Sequence, residues 1–298
     1  MVLPLAPGRA LGRFEVGPLA YGCWRLTNPD PGHTADLIEA ALEVGMKLVD
    51  TADVYGLDYG GTGFGSAEQL LGEALRLRPE LREQIILATK GGIIPGVPYD
   101  SSPDYLRSAA EASLRRLKVE VIDLYQIHRP DLFSHPASLA ETLAQLRERG
   151  LVREVGVSNF TVAQVDALVA HLPFPLASHQ PQFSALHLQP LRDGTLDQCM
   201  RLGITPLAWS PLGGGRLATG EGVPPALLEA LDAIAAREQS SRAAVALAFV
   251  LAHPSRPVAI IGTQSPDRVR EAEAALRVEL TRHDVYAILQ ASEGRPLP

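Results

Sequence analysis

Apolar residues fall in short blocks along the chain, and between the blocks they recur every three or four positions. Short apolar blocks predict buried strands, and the three-to-four spacing predicts amphipathic helices. The strand blocks cover 19–23, 46–49, 85–89, 121–127, 152–157, 176–180, 205–209 and 257–262. A helix is predicted after each of the first three. One runs from a Thr34 N-cap through Val44 with Gly45 as its C-cap, and one opens on the capping-box pattern Ser66 to Gln69 and runs through Leu75. A third covers 102–117. Further helices are predicted over 137–149, stopped by Gly150, and over 161–171 and 190–202. A pair spans 225–237 and 240–252, and Pro266 sits at the first position of another.

Eight strands, each followed by helix, predict an α/β fold: a single (β/α)8 TIM barrel over 1–298. An open doubly wound sheet is the alternative. No G-x-G-x-x-G follows the first strand and no linker splits the chain, and both facts disfavour it. The stretch 12–17 alternates polar and apolar residues between two glycines and predicts part of a small N-terminal hairpin plugging the barrel bottom. The stretch 278–293 predicts an extra C-terminal helix, and 56–65, rich in Gly, Tyr and Thr, a flexible rim loop.

Composition narrows the classes of function. The 298 residues are 46% hydrophobic and 20% charged, with a net charge of −7 and no local Lys/Arg block, which argues against nucleic-acid binding. Two cysteines, Cys23 and Cys199, make neither a disulfide framework nor a metal-ligand spacing. The longest apolar run, 243–252, is too short to span a bilayer, and 1–7 lacks the features of a signal peptide. A soluble cytoplasmic protein is the expectation.

Polar residues end three successive strand blocks. Asp50 closes the second, Lys90 follows 40 residues later and His128 38 after that, about one βα repeat each. Parallel strands at that period would bring an acid, a base and an imidazole to one rim, with Tyr55 hanging over it from the loop after Asp50. Loops after the strands build the active site in such a barrel. Tyr55 would donate a proton to a carbonyl oxygen as hydride reaches the carbon. Lys90 would lower the phenol pKa from its ordinary ~10 by stabilising the phenolate. Asp50 would hold Lys90 charged and aimed inward, and His128 would position the carbonyl. Taken singly, the acid is a turn former, the tyrosine packing, and the lysine and histidine ordinary strand-end residues. The combination at one register is what points to proton transfer. No metal is expected, because a ligand cluster such as H-x-H after the first strand is missing.

These residues resemble the aldo-keto reductase family over nearly the whole chain. The matching segments are Asp50-Thr51-Ala52-Asp53-Val54-Tyr55-Gly56, Ala88-Thr89-Lys90, 124–131, Gly156-Val157-Ser158-Asn159-Phe160 and Ser210-Pro211-Leu212-Gly213-Gly214-Gly215. The stretch 194–217 is similar to a bacterial branch of little-characterised NADPH-dependent oxidoreductases. The resemblance implies the same four catalytic roles and a bound nicotinamide cofactor, NADPH (NADP+). Ser158, Asn159 and Gln180 would hold the carboxamide, with Trp209 stacked on the ring. Ser210, Leu212 and Gly214 belong to the segment that would bind the pyrophosphate. Glycines there let backbone N–H groups approach it, and Arg216 would add a positive charge. The segment 262–268 resembles the part that grips the 2′-phosphate, with Ser265 and Arg268 suited to an extra phosphate. Gln264 stands where many relatives carry Lys or Arg, and Ala272 follows Glu271 where many have Asn beside the adenine. NADPH preference is therefore expected to be weaker than with two cations.

The expected activity is reduction of aldehyde or ketone carbonyls to alcohols. Trp24, Tyr21, the loop 56–65 and Phe133 are candidate apolar walls for the small-molecule substrate. The alternative function is a regulatory or binding subunit that holds the cofactor and turns over slowly.

Overall fold

Side chains alternate between the two faces of a strand, so residue parity decides what fills a barrel. The computed structural model describes residues 2, 3, 5 and 7–297. Met1, Pro4, Ala6 and Pro298 lie outside the described residues, and with them the ends of the expected 1–298 domain and part of the stretch read for a signal peptide. Strands β1 (Arg9–Leu11) and β2 (Phe14–Val16) pair antiparallel. Then come β3 (Leu19–Gly22), β4 (Leu48–Asp50), β5 (Ile86–Gly91), β6 (Ile122–Ile127), β7 (Val152–Ser158), β8 (Ser178–Gln180), β9 (Thr205–Ala208) and β10 (Val258–Ile261). These eight are parallel and close into a barrel, β10 pairing with β3.

The inward parity changes character along the barrel axis. At the N-terminal end Ala20, Leu48, Ile86, Leu124, Leu207, Val258 and Ile260 belong to one buried cluster. Leu11 and Val16 of the β1–β2 hairpin join it, so the hairpin plugs that end as expected. One or two inward positions higher the side chains turn polar: Asp50, Lys90, Gln126 and Gln180 are all buried. Outward residues of the same strands, Val49 and Leu87 among them, pack under the helices.

Helices α1 (Pro31–Glu43), α2 (Ser66–Leu77), α3 (Glu80–Gln84), α4 (Pro103–Leu117), α5 (Pro136–Glu148) and α6 (Val162–Val169) alternate with the strands. They are followed by α7 (Thr195–Leu202), α8 (Arg216–Thr219), α9 (Pro225–Arg237), α10 (Arg242–Leu251), α11 (Pro266–Glu271) and the C-terminal α12 (Arg282–Glu293). Three expected helix starts are corrected, and one expected helix divides. Helix α1 begins at Pro31, whose fixed φ suits a first helical position. Asp30 caps it by accepting from the Gly32 N–H, and Thr34 lies buried inside. No capping box forms at Ser66: Gly65 takes the cap position at φ 80°, and no side chain caps the helix. The 190–202 stretch divides into a 3-10 turn, Gln189–Leu191, and α7, because Gly194 at φ 84° breaks it. The last helix starts at Arg282 rather than 278, with Val278 and Leu280 buried ahead of it. Among the described residues no helix is long and apolar enough to cross a membrane.

Candidate active site

Strand register assembles the quartet. Asp50 sits beside Ala88 across β4–β5, and Lys90 beside Gln126 across β5–β6, while His128 follows β6 directly. The chain after β4 stays pinned to β5 through Thr51 N–H to Ala88 O and Asp53 N–H to Lys90 O, which carries Tyr55 back over the rim. An ammonium has three N–H donors, and Lys90 Nζ uses all of them: on Asp50 Oδ2 at 2.6 Å, Thr51 O at 2.8 Å and the Tyr55 hydroxyl oxygen at 3.1 Å. Lys90 is wholly buried, so these contacts replace its water. Asp50 Oδ1 accepts from Gln126 Nε2 at 3.1 Å and from Gln180 Nε2 at 3.0 Å. The Tyr55 and His128 rings meet edge to face with centroids 5.7 Å apart. Tyr55's own proton is donated to no described residue.

The electrostatics refine the expectation in one respect and correct it in another. Burial alone would lower the Lys90 pKa, but Asp50 and Tyr55 outweigh it and raise it, so the ammonium stays charged. Tyr55 is corrected. Burial raises its pKa above the ordinary phenol value, and although Lys90 pulls the other way, it does not prevail. The phenol therefore keeps its proton at neutral pH. Burial, then Lys90 and Arg129, hold the His128 pKa well below the ordinary imidazole value, so that ring is neutral.

The expected nicotinamide residues lie together at the ends of β7 and β8 and just past β9. Ser158 Oγ donates to Gln180 O at 2.9 Å and accepts from Asn159 Nδ2 at 2.7 Å. The Trp209 indole N–H donates to Asn159 Oδ1 at 3.0 Å. Ser210 has φ 50° and leads into Leu212 and a 3-10 turn, Gly213–Gly215, whose glycines all have positive φ. Arg216 is turned back on its own loop, donating to Glu221 O and Gly222 O. After β10, the Ser265 hydroxyl caps α11 by accepting from Arg268 N–H. The Arg268 side chain is exposed and in no ion pair among the described residues, and Glu271 is exposed on the same helix, whereas Arg270 is held by Glu43 at 2.6 Å. The Gln264 amide is buried with neither polar atom hydrogen-bonded.

Of the candidate walls, Trp24 stands at the rim, its indole N–H on Asp58 at 3.1 Å. Tyr21 does not: it is fully buried and donates to Thr263 O at 3.1 Å. Phe133 is fully exposed. Sequence reasoning missed Gln126 and Ser178, which donates to Gln126 Oε1 at 3.2 Å. Parity could have found Gln126, since 124, 126 and 128 share one face. It missed Arg25 as well, which reaches Gly214 O from the loop after β3 at 2.7 Å.

Comparison with known proteins accords with this geometry. The chain is 50% identical over 302 residues to a 6-dehydroglucose reductase of Novosphingobium aromaticivorans, with 99% of each chain covered. It is 37% identical to the oxidoreductase YdhF of Escherichia coli, covering 95% of this chain and 96% of the other. The structure of the glycerol dehydrogenase AKR11B4 from Gluconobacter oxydans superposes with a TM-score of 0.84 at 26% identity, covering 98% of both chains. The match to the Aldo/keto reductase family runs over residues 18–293, from β3 into α12, and so spans the barrel and its polar rim. A lysine fully paired inside an eight-stranded barrel, under a tyrosine that keeps its proton, is thus what this chain holds as a member of the aldo/keto reductase family.

Proposed function

We propose that the protein is an NADPH-dependent carbonyl reductase whose substrate is a sugar bearing an aldehyde, as the name of the 50% identical relative suggests. The observation that carries this reading is the 3.1 Å contact between the buried Lys90 ammonium and the Tyr55 hydroxyl oxygen. Because Lys90 donates to that oxygen, the phenol proton is left for a substrate carbonyl. Bound NADPH would supply the hydride to the carbonyl carbon. Tyr55 then delivers its proton to the carbonyl oxygen, and the ammonium stabilises the phenolate left behind. Asp50 keeps Lys90 charged and fixed in direction. Neutral His128 donates one hydrogen bond to the carbonyl oxygen and orients it.

The residues of the second half fit the cofactor. At Gly214 a Cβ would meet nothing within 4 Å, which leaves room for a pyrophosphate against the backbone N–H groups. Ser158, Asn159 and Gln180 would take the carboxamide, and Trp209, held by Asn159, would lie against the ring. Ser210, Leu212 and Arg216 shape the pyrophosphate loop. Ser265 and Arg268 would take the 2′-phosphate, and Gln264 and Glu271 would lie beside the cofactor.

Tyr55→Phe tests the reading. It removes the proton and little else, so turnover should fall about 10²–10⁴-fold with NADPH binding nearly unchanged. Lys90→Met should be as severe. Near-normal turnover by Tyr55→Phe with any carbonyl would dismiss Tyr55 as the donor.

A further inference from the structure

The rim beside the quartet carries an aromatic pair with charged neighbours. Trp24 and Arg25 follow β3, and Asp58 and Tyr59 stand on the loop after β4, four residues beyond Tyr55 and less. The Trp24 and Tyr59 rings lie 5.3 Å apart at 43°, and are 37% and 51% exposed. Both side chains are thus part-exposed on the loops that follow β3 and β4. Arg25 stacks on Tyr59 with its guanidinium carbon 4.8 Å from the ring centre, and is anchored to Gly214 O at 2.7 Å. The Tyr59 ring is therefore held in place. Among the described residues the Asp58 carboxylate receives only the Trp24 indole N–H, at 3.1 and 3.2 Å to its two oxygens. A carboxylate offers about four acceptor sites, so most of its capacity stays open.

An aromatic face for C–H groups beside a carboxylate for O–H groups is complementary to a pyranose, which presents an apolar C–H face and a hydroxylated edge. We propose that Asp58 and Tyr59 form a platform for the polyhydroxylated part of a sugar aldehyde and set the preference for it over plain aldehydes. The inference rests on the sugar-aldehyde reading above. Tyr55, Lys90 and His128 recognise only the carbonyl and cannot distinguish a sugar aldehyde from any other. Asp58 would accept ring hydroxyls, and Tyr59 would stack on the ring.

The test is a competition of substrates. Wild type, Asp58→Asn, Tyr59→Ala and Tyr59→Phe are assayed with glucose oxidised to an aldehyde at C6 and with benzaldehyde. The ratio of kcat/KM for the sugar aldehyde to that for benzaldehyde should fall about tenfold in Asp58→Asn and in Tyr59→Ala, the size of one lost hydrogen-bonding or stacking contact. Tyr59→Phe keeps the ring and should keep the ratio. An unchanged ratio in both Asp58→Asn and Tyr59→Ala overturns the platform and leaves the substrate reading standing. A wild-type enzyme that reduces benzaldehyde and not the sugar aldehyde overturns the substrate reading, and the platform with it.

Discussion

Lys90 carries a wholly buried ammonium whose three N–H groups each have an acceptor, at Nζ–O distances of 2.6, 2.8 and 3.1 Å. A buried charge is tolerated only on those terms. The same logic makes a liability of His179, which sits one residue before Gln180 in β8 and faces away from the polar interior. Burial lowers its pKa to about 4, with Asp193 and the Phe160 backbone opposing too weakly. The unfolded imidazole titrates near ~6.5. A folded-state pKa below the unfolded one means that the unfolded chain binds the proton first. Stability is therefore full above pH ~6.5 and is lost as pH falls toward 4, by about 3 kcal/mol once both forms are protonated. His179→Asn removes that proton site. The drop in melting temperature between pH 7.5 and pH 5 should then shrink by several degrees relative to wild type, as thermal denaturation at the two pH values would read. An identical drop would show that His179 is not what acid attacks.

At the level of elements, local chemistry set some boundaries and lost others. Thr161 with Gln164 and Thr281 with Asp284 form capping boxes, while Ser66, which has the same pattern, does not. Gly65 ahead of it can take a left-handed conformation that ends the preceding loop, and the helix simply starts there. The segment after β10 is where the proposed cofactor preference would be set. Of its two arginines, Arg270 is held by Glu43 and Asp267, whereas Arg268 has no ion pair among the described residues. Arg268→Ala should raise the Kd for NADPH about ten- to a hundredfold and leave that for NADH nearly unchanged, a difference of roughly 1.5–3 kcal/mol for one charge-assisted contact. Fluorescence titration of both cofactors decides it. Equal effects on the two would place the 2′-phosphate elsewhere.

Across the whole molecule the barrel has two ends with opposite chemistry. The N-terminal end is closed by Leu11 and Val16 against the inward apolar residues of the strands, and the C-terminal end is open and polar. Support and the proposed chemistry would thereby be separated along one axis, as in barrels of this kind generally. Leu11→Ala should cost about 3 kcal/mol of stability through lost burial and the cavity left behind. Because Leu11 lies at the far end from Lys90, the Kd for NADPH at 25 °C should stay at the wild-type value. Melting temperature and NADPH titration on one preparation check both halves. A fall in affinity would show that the plug reaches the site.

The sequence by itself determined the barrel, since eight apolar blocks with intervening helices have few other closed arrangements, and it determined which strand ends carry Asp50, Lys90 and His128. Those residues are legible because a strand holds its side chains to a period of two and a βα repeat holds its strands to a common rim. Gln126 was legible on the same rule, though only parity shows it. The tertiary structure decided what no period encodes. Loop side chains take their direction from contacts distant in sequence, so Arg216 turns onto Glu221 and Gly222 while Arg25, 189 residues from Gly214, reaches that glycine's carbonyl. Tyr21 reads as a rim residue and is buried, because it alternates with inward Ala20 and packs on the outer side of β3 among the residues under the helices. The Tyr55 pKa is likewise set by packing. A neighbouring lysine predicts a fall, but desolvation by residues from several strands outweighs it, and desolvation depends on the closed fold and not on any single neighbour in the chain.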